Sequence, residues 1–213
     1  MSYIHRTANF GSSNATSALL SMWVKKTKND ILQGLFLGWT NSSNYATCYV
    51  NNDDTIYYKE KNGGTQYETR ITSSTRKFID NNAWYHFVFQ SHNNNGQRGN
   101  VYIDGQLDPS LTEIDITDWN LASGQYITIG GYDAGIHGFH GYMANVHLID
   151  GQALLPSDFA ETVDGVLVPK QYEGTYGNIG FHFDFAPENM EYSGDTITRV
   201  LDESPNSNHW YAH

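Results

Sequence analysis

The chain has 213 residues and carries 12 Lys plus Arg against 23 Asp plus Glu, a formal net charge of −11. No basic stripe interrupts that charge, which argues against the phosphate backbone of nucleic acid and against an anionic membrane as partners. Aromatic residues make up 14 % and charged residues 16 %, which suits a sheet protein whose rings pack on pleated surfaces better than it suits a helical bundle.

Cys48 is the one cysteine, so no intrachain disulfide forms and folding needs no oxidising compartment. No apolar run approaches the ~20 residues of a membrane span. The N-terminal residues lack a signal-peptide core, so synthesis in the cytoplasm is expected.

Taken in chain order, the elements read as strands. Leu20, Met22 and Val24 alternate with Ser21, Trp23 and Lys25, the period of two that sends neighbouring side chains to opposite faces. Asn51-Asn-Asp-Asp54 separates residues 46–50 from 55–58 and predicts a turn. Asn62-Gly63-Gly64 joins 55–61 to 66–72 as a hairpin, and Asn93-Asn94-Asn95-Gly96 joins 85–90 to 100–104 as another. Alternation returns at 126–129, 142–148 and 181–185. Ile-Asp-Gly-Gln occurs at 103–106 and again at 149–152, predicting one shared turn geometry. Helical signal is confined to a single turn at Pro156-Ser-Asp-Phe159. The pattern predicts an all-β, two-sheet antiparallel jelly-roll sandwich of half-buried strands, one domain over 1–213. Its core spans about 15–150, with a less regular C-terminal region over 151–213.

Three segments resemble the laminin-G-like domains of the concanavalin A superfamily. They are Ser21-Met-Trp-Val-Lys25, then Ala83-Trp-Tyr-His-Phe-Val-Phe89 with Asn100-Val-Tyr-Ile-Asp-Gly-Gln106, then Ile127-Thr-Ile-Gly-Gly131 with Phe139-His-Gly-Tyr-Met-Ala-Asn-Val-His147. Further segments are similar to those of laminin-G-like structural proteins of marine bacteriophages. These are the run from Val146 to Phe159, Val168-Pro-Lys170, the glycine-spaced run from Tyr172 to Phe181, and Asp202-Glu-Ser-Pro-Asn-Ser-Asn-His-Trp210. The resemblance implies a virion protein exposed as fibre, tail or capsid decoration. It is expected to be a homo-oligomer, a trimer by preference, that docks on other virion proteins and contacts host glycan. Two departures stand out: Ala144-Asn145 replaces an acidic pair of the family pattern, and Pro205 replaces a glycine.

Several constellations bear on chemistry. Tyr132, Asp133, His137, Phe139 and His140 gather aromatic rings and polar groups in one loop and form the candidate glycan site, with Tyr45, Tyr57 and Tyr58 as further rings. Ordinary core and cross-strand packing is the alternative for these rings. Asp53 and Asp54 offer oxygen ligands for Ca²⁺, or simply a turn. His137, His140 and His147 lie near Asp133 but differ in strand parity, so surface histidines are the plainer expectation than a metal site. Glu113, Asp115 and Asp118 resemble the acidic strand of laminarinase-type hydrolases. Retaining chemistry needs its two carboxyls ~5–5.5 Å apart, and the shorter Asp118 stands where that family has Glu. The expected role is therefore binding rather than catalysis, with a stand-alone lectin as the second reading and a glycoside hydrolase as the third.

Overall fold

The computed structural model describes residues 3–7, 17–62, 65–71, 77–92, 100–108, 126–131 and 137–212. Its strands are, in chain order, β1 (Ile4–Thr7), β2 (Ser17–Lys26), β3 (Gln33–Asn41), β4 (Asn44–Val50), β5 (Ile56–Asn62), β6 (Thr65–Ile71), β7 (Tyr85–His92), β8 (Asn100–Ile103), β9 (Gln106–Leu107), β10 (Tyr126–Ile129), β11 (Gly141–Asp150), β12 (Ala160–Val163), β13 (Val166–Pro169), β14 (Phe181–Phe183), β15 (Met190–Ser193), β16 (Thr196–Val200) and β17 (Trp210–Ala212). A nine-stranded sheet runs β15-β16-β17-β1-β10-β3-β4-β5-β6, and a six-stranded sheet runs β14-β11-β2-β7-β8-β9. Every pairing between these strands is antiparallel, so the two-sheet sandwich expected from the alternation is present. The expected hairpins pair as read: Asn62 faces Thr65, and Phe87 faces Ile103. The helical turn at Pro156–Asp158 is a 3₁₀ turn, whose Asp158 carboxylate accepts from the Leu155 N–H at 2.9 Å.

The main core lies between the sheets. Leu20, Met22, Val24, Phe87, Phe89, Val101, Ile103, Val146 and Leu148 supply it from the six-stranded sheet, and Phe36, Cys48, Tyr58, Ile127 and Ile129 from the other. Each such side chain contributes about 1.5–3 kcal/mol by leaving water. Tyr58 is therefore a core ring stacked on Phe89, with 6.0 Å between centroids, and no part of a surface platform. Tyr57, also buried, stacks on Tyr49 at 5.1 Å.

The strands are not half buried as alternation alone suggests. Leu19, Ser21 and Trp23, on the opposite side of β2, are buried as well. The reason is a third layer. Residues 151–180 lie over the outer face of the six-stranded sheet, where Leu19, Val88, Ile149, Phe159 and Tyr176 form a second apolar cluster. Gln90, nearly buried, donates to the Leu154 carbonyl at 2.8 Å and ties that layer down.

The C-terminal region is more regular than expected. It supplies β12 to β17 and three core rings: Phe181, Phe183 and Trp210, packed 4.8–5.4 Å apart. Its motifs are clasps. The Asp202 carboxylate accepts from the main-chain N–H of His182, Ser204 and Asn208 and from the Ser204 hydroxyl, at 2.6–2.9 Å. Asn206 and Asn208 donate to the Gly180 carbonyl at 2.9 Å. Gly177 and Gly180 let this loop press on β11: a Cβ at either would lie 2.3 Å or less from a carbonyl oxygen.

The two Ile-Asp-Gly-Gln copies differ in geometry. Asp104-Gly105 has positive φ at both residues (52° and 78°) and forms the two-residue turn of β8 and β9. At 150–151 only Gly151 is left-handed (88°), and Asp150 instead accepts from the Asn178 and Ile179 N–H groups. No helix among the described residues is long and apolar enough to cross a membrane.

Candidate ligand-binding groove

The outer face of the six-stranded sheet carries a row of buried aromatic and imidazole polar groups that the inner face lacks. Strand parity sends Ser21 and Trp23 of β2, His86 of β7, His147 of β11 and His182 of β14 to this side. His147 pairs with Ser21 on one flank and with His182 on the other, so these residues run in a row across the sheet. His147 and His182 stack face to face at 4.0 Å and 7°. The Tyr176 hydroxyl lies 3.0 Å from His147 Nδ1, Asn145 Oδ1 lies 3.3 Å from His182 Nε2, and Ser21 Oγ lies 2.8 Å from His86 Nε2. Trp23 stacks on His86 at 4.9 Å and 15°. His147 Nε2, His86 Nδ1 and Trp23 Nε1 are buried and have no partner in the protein.

Burial holds all three imidazoles neutral. It pushes His86 down to about 4. It lowers His147 well below the ordinary histidine range, with His182 and His86 adding to the effect. His182 is lowered by burial too, against the opposing pull of Asp184 and Asp202.

Two clefts open above this row. One, of about 650 Å³, is lined by Asn145, Lys170, Tyr172, Glu173, Tyr176, His182, Asp184 and Glu203. The other, of about 690 Å³, is lined by Trp23, Trp84, Asp104, Ala144, Val166 and Leu167. Pro169 lines both, and the consecutive residues Ala144 and Asn145 line one each, so the clefts adjoin along β11. The β12–β13 hairpin forms a wall, turned by Asp164-Gly165 with φ of 51° and 80°. Trp84 stands 42 % exposed here, enough ring to meet a ligand, whereas Trp23 is 6 % exposed.

The departure Ala144-Asn145 falls at the centre of this groove. The register of β11 against β2 slips between Ala144 and His147, a bulge that inserts one extra residue. Asn145 absorbs it at φ 46°, a left-handed geometry that asparagine tolerates better than glutamate.

The other candidates have different fates. Tyr132 and Asp133 lie outside the described residues, as do Glu113, Asp115 and Asp118. His137, Phe139 and His140 share a rim loop pinned by its main chain. The His137 carbonyl accepts from Gly34, Phe139 N–H donates to Gly130, and His140 N–H donates to the buried Gln33 side chain, at 2.8–3.0 Å. Phe139 lines an apolar cleft of about 760 Å³ with Met143, Phe185 and Met190, at the far end of β11 from the bulge's C-terminal side. His147 belongs to the row above, buried, so it is neither a surface histidine nor a partner of that loop.

Asp53 and Asp54 are engaged by protein donors. Asp53 Oδ1 accepts from the Thr55 N–H and hydroxyl at 3.2 and 2.5 Å. Asp54, at φ 60°, pairs with the buried Lys26 ammonium and accepts from the Asp30 N–H. Lys26 thus supplies the positive charge that Ca²⁺ would bring, and the site does not fit that ion. Among the described residues, no three His, Cys, Asp or Glu side chains gather in a way that would hold a metal.

Known proteins match this architecture. Domain 4 of the arabinanase AbnA from Geobacillus stearothermophilus, solved with arabinotriose, aligns with TM-score 0.52 and 19 % identity over 67 % of this chain and 64 % of its own. The CBM40 of a Ruminococcus gnavus IT-sialidase, bound to α2,6-sialyllactose, aligns with TM-score 0.51 and 13 % identity over 66 % and 79 %. A heptameric SAP-like pentraxin from Limulus polyphemus gives 0.52 and 14 % over 72 % and 71 %. At these identities the likeness is one of fold. No curated protein matches the sequence. A laminin-G family model, described as the Concanavalin A-like lectin/glucanases superfamily, matches residues 3–158. That is well over half of the sequence, and the chain belongs to the laminin-G-like domains of the concanavalin A-like lectin/glucanase superfamily.

Proposed function

We propose that the chain is a carbohydrate-binding display module of a phage virion, and that its contact face is the groove on the outer side of the six-stranded sheet. One observation carries the choice of face. Trp84 offers an exposed ring beside Trp23, whose indole N–H lacks a protein acceptor, in a largely apolar cleft that adjoins the polar cleft of Asn145, Glu173, Asp184 and Glu203. An aromatic face packs on the apolar face of a sugar ring, and convergent polar groups hold its hydroxyls. Relatives of this fold solved with arabinotriose and sialyllactose support a sugar as the ligand class. The phage setting rests on the sequence motifs at 146–159, 172–181 and 202–210, and with it come assembly as a homo-oligomer, a trimer by preference, and docking on other virion proteins. The role is binding rather than catalysis.

A glycan array tests the binding half. Wild-type protein binds a defined set of sugars and Trp84→Ala does not; a blank array contradicts the reading. Antibody labelling of intact particles tests the display half. Label on the particle surface is expected, and its absence from purified virions contradicts that half.

A further inference from the structure

We infer that the groove accepts uncharged sugars and rejects sialylated, uronic and sulfated ones. This deepens the proposal above and rests on its reading of the groove as a glycan site.

The charges that line the two clefts carry the inference. Asp104 lines one; Glu173, Asp184 and Glu203 line the other. Lys170 is the lone cationic side chain among the described lining residues, and its ammonium already donates to the Ser157 carbonyl at 3.1 Å. No arginine lines either cleft among those residues, so the planar fork that grips a carboxylate or sulfate is missing. The imidazoles beneath stay uncharged at neutral pH, because burial disfavours their cationic forms. The whole chain adds a net charge of −11, which repels an anion before it arrives.

The neutral groups present are those a polyol uses. Trp84 gives a stacking face. Trp23 lines the floor of the same cleft, with its Nε1 buried beneath the surface and without a protein acceptor. Carboxylates are strong acceptors for hydroxyl donors, so the acidic lining that repels an anion holds a neutral sugar. Specificity here comes from repulsion of the wrong ligand as much as from attraction of the right one.

The test is an array of neutral oligosaccharides (glucan, mannan, galactan and arabinan) printed beside sialylated, uronic and sulfated ones at matched density. The full chain is probed as wild type, Trp84→Ala and Glu173→Lys/Glu203→Lys. Neutral sugars are expected to bind at least about tenfold tighter than anionic ones. That binding should hold steady from about 50 to about 500 mM NaCl, since no ion pair needs screening. Trp84→Ala should lose it, and the double lysine variant should gain anionic ligands. Anionic binding by the wild type that Trp84→Ala removes overturns the inference and leaves the groove as the glycan site. Neutral binding that survives Trp84→Ala overturns the groove itself. No binding to any sugar overturns both.

Discussion

The two faces of the six-stranded sheet are built from the same strands and differ in every respect that matters here. The inner face is apolar along its middle, where Leu20, Met22, Val24, Phe87 and Phe89 meet the opposite sheet, with Lys26 and Ser91 as buried polar residues towards the strand ends. The outer face, one residue out of phase, is just as buried along most of its length yet carries Ser21, Trp23, His86, His147 and His182. Three of its nitrogens have no protein partner. Buried polar atoms without partners are costly; Ser91 Oγ and Trp210 Nε1 are two such atoms in the core, but the three on the outer face lie beside an open groove, which supports the proposed contact face. The inner face sets the fold; the outer face is where we propose the specificity lies.

This contrast can be broken or sharpened by experiment, beginning with the largest effect. Phe89→Ala on the inner face should cost about 3–5 kcal/mol in denaturant unfolding, because the packed core collapses only partly around the void. Lys26, the inner-side residue at the end of β2, pairs with Asp54 in a fully buried ion pair. Lys26→Met should cost a similar ~3–5 kcal/mol by stranding the carboxylate, and the double change Lys26→Met/Asp54→Leu should recover most of it.

The outer face should dominate the acid response. His86 has a folded pKa of about 4 against an ordinary 6.5, so between those values the unfolded chain binds a proton that the folded chain refuses. Its stabilising effect is full above about pH 6.5, and stability falls by about 3 kcal/mol as pH drops to about 4. His147 and His182 act in the same direction. Thermal melts across that range check the sign, and His86→Gln should flatten the slope.

Smaller again is Tyr176→Phe, which strips His147 Nδ1 of its partner. It should cost about 1–3 kcal/mol in the same denaturant series. Smallest is Trp84→Ala, within about 0.5 kcal/mol of wild type because Trp84 is already 42 % exposed. A large loss of stability there would make Trp84 a packing residue and remove it from the groove's chemistry.

The fold could be read from the sequence wherever turn chemistry and alternation coincided. The β5–β6 and β7–β8 pairings follow from Asn-Gly punctuation between alternating runs. Two further hairpins carry similar turn signals: Asp164-Gly165 between β12 and β13, and Gly194 with φ 60° between β15 and β16. The groove was harder to see. Period-two alternation separates the two faces of β2 and β7, but it assigns the polar face to water. Nothing local says that residues 151–180 return to cover it. That return depends on the Asp202 clasp and on Gly177 and Gly180, contacts between positions far apart in sequence. His147 illustrates the cost: parity put it opposite Val146 and Leu148, and only the third layer makes it buried. Ala144-Asn145 stands out in the sequence as a departure from the family pattern, yet the bulge at Asn145 and its position at the centre of the groove required the register of β11.

The central claim is that sugar meets the outer face of the six-stranded sheet. The indole N–H resonances of the five tryptophans report on it directly during titration with the best array ligand. Trp23 and Trp84 line the groove, Trp210 sits in the core, and Trp39 stacks on Tyr45 on the nine-stranded sheet. Shifts of Trp23 and Trp84 that saturate together, with Trp39 and Trp210 unmoved, are the predicted result. Movement of Trp39 with Trp23 and Trp84 silent would place the ligand on the other sheet and contradict the account.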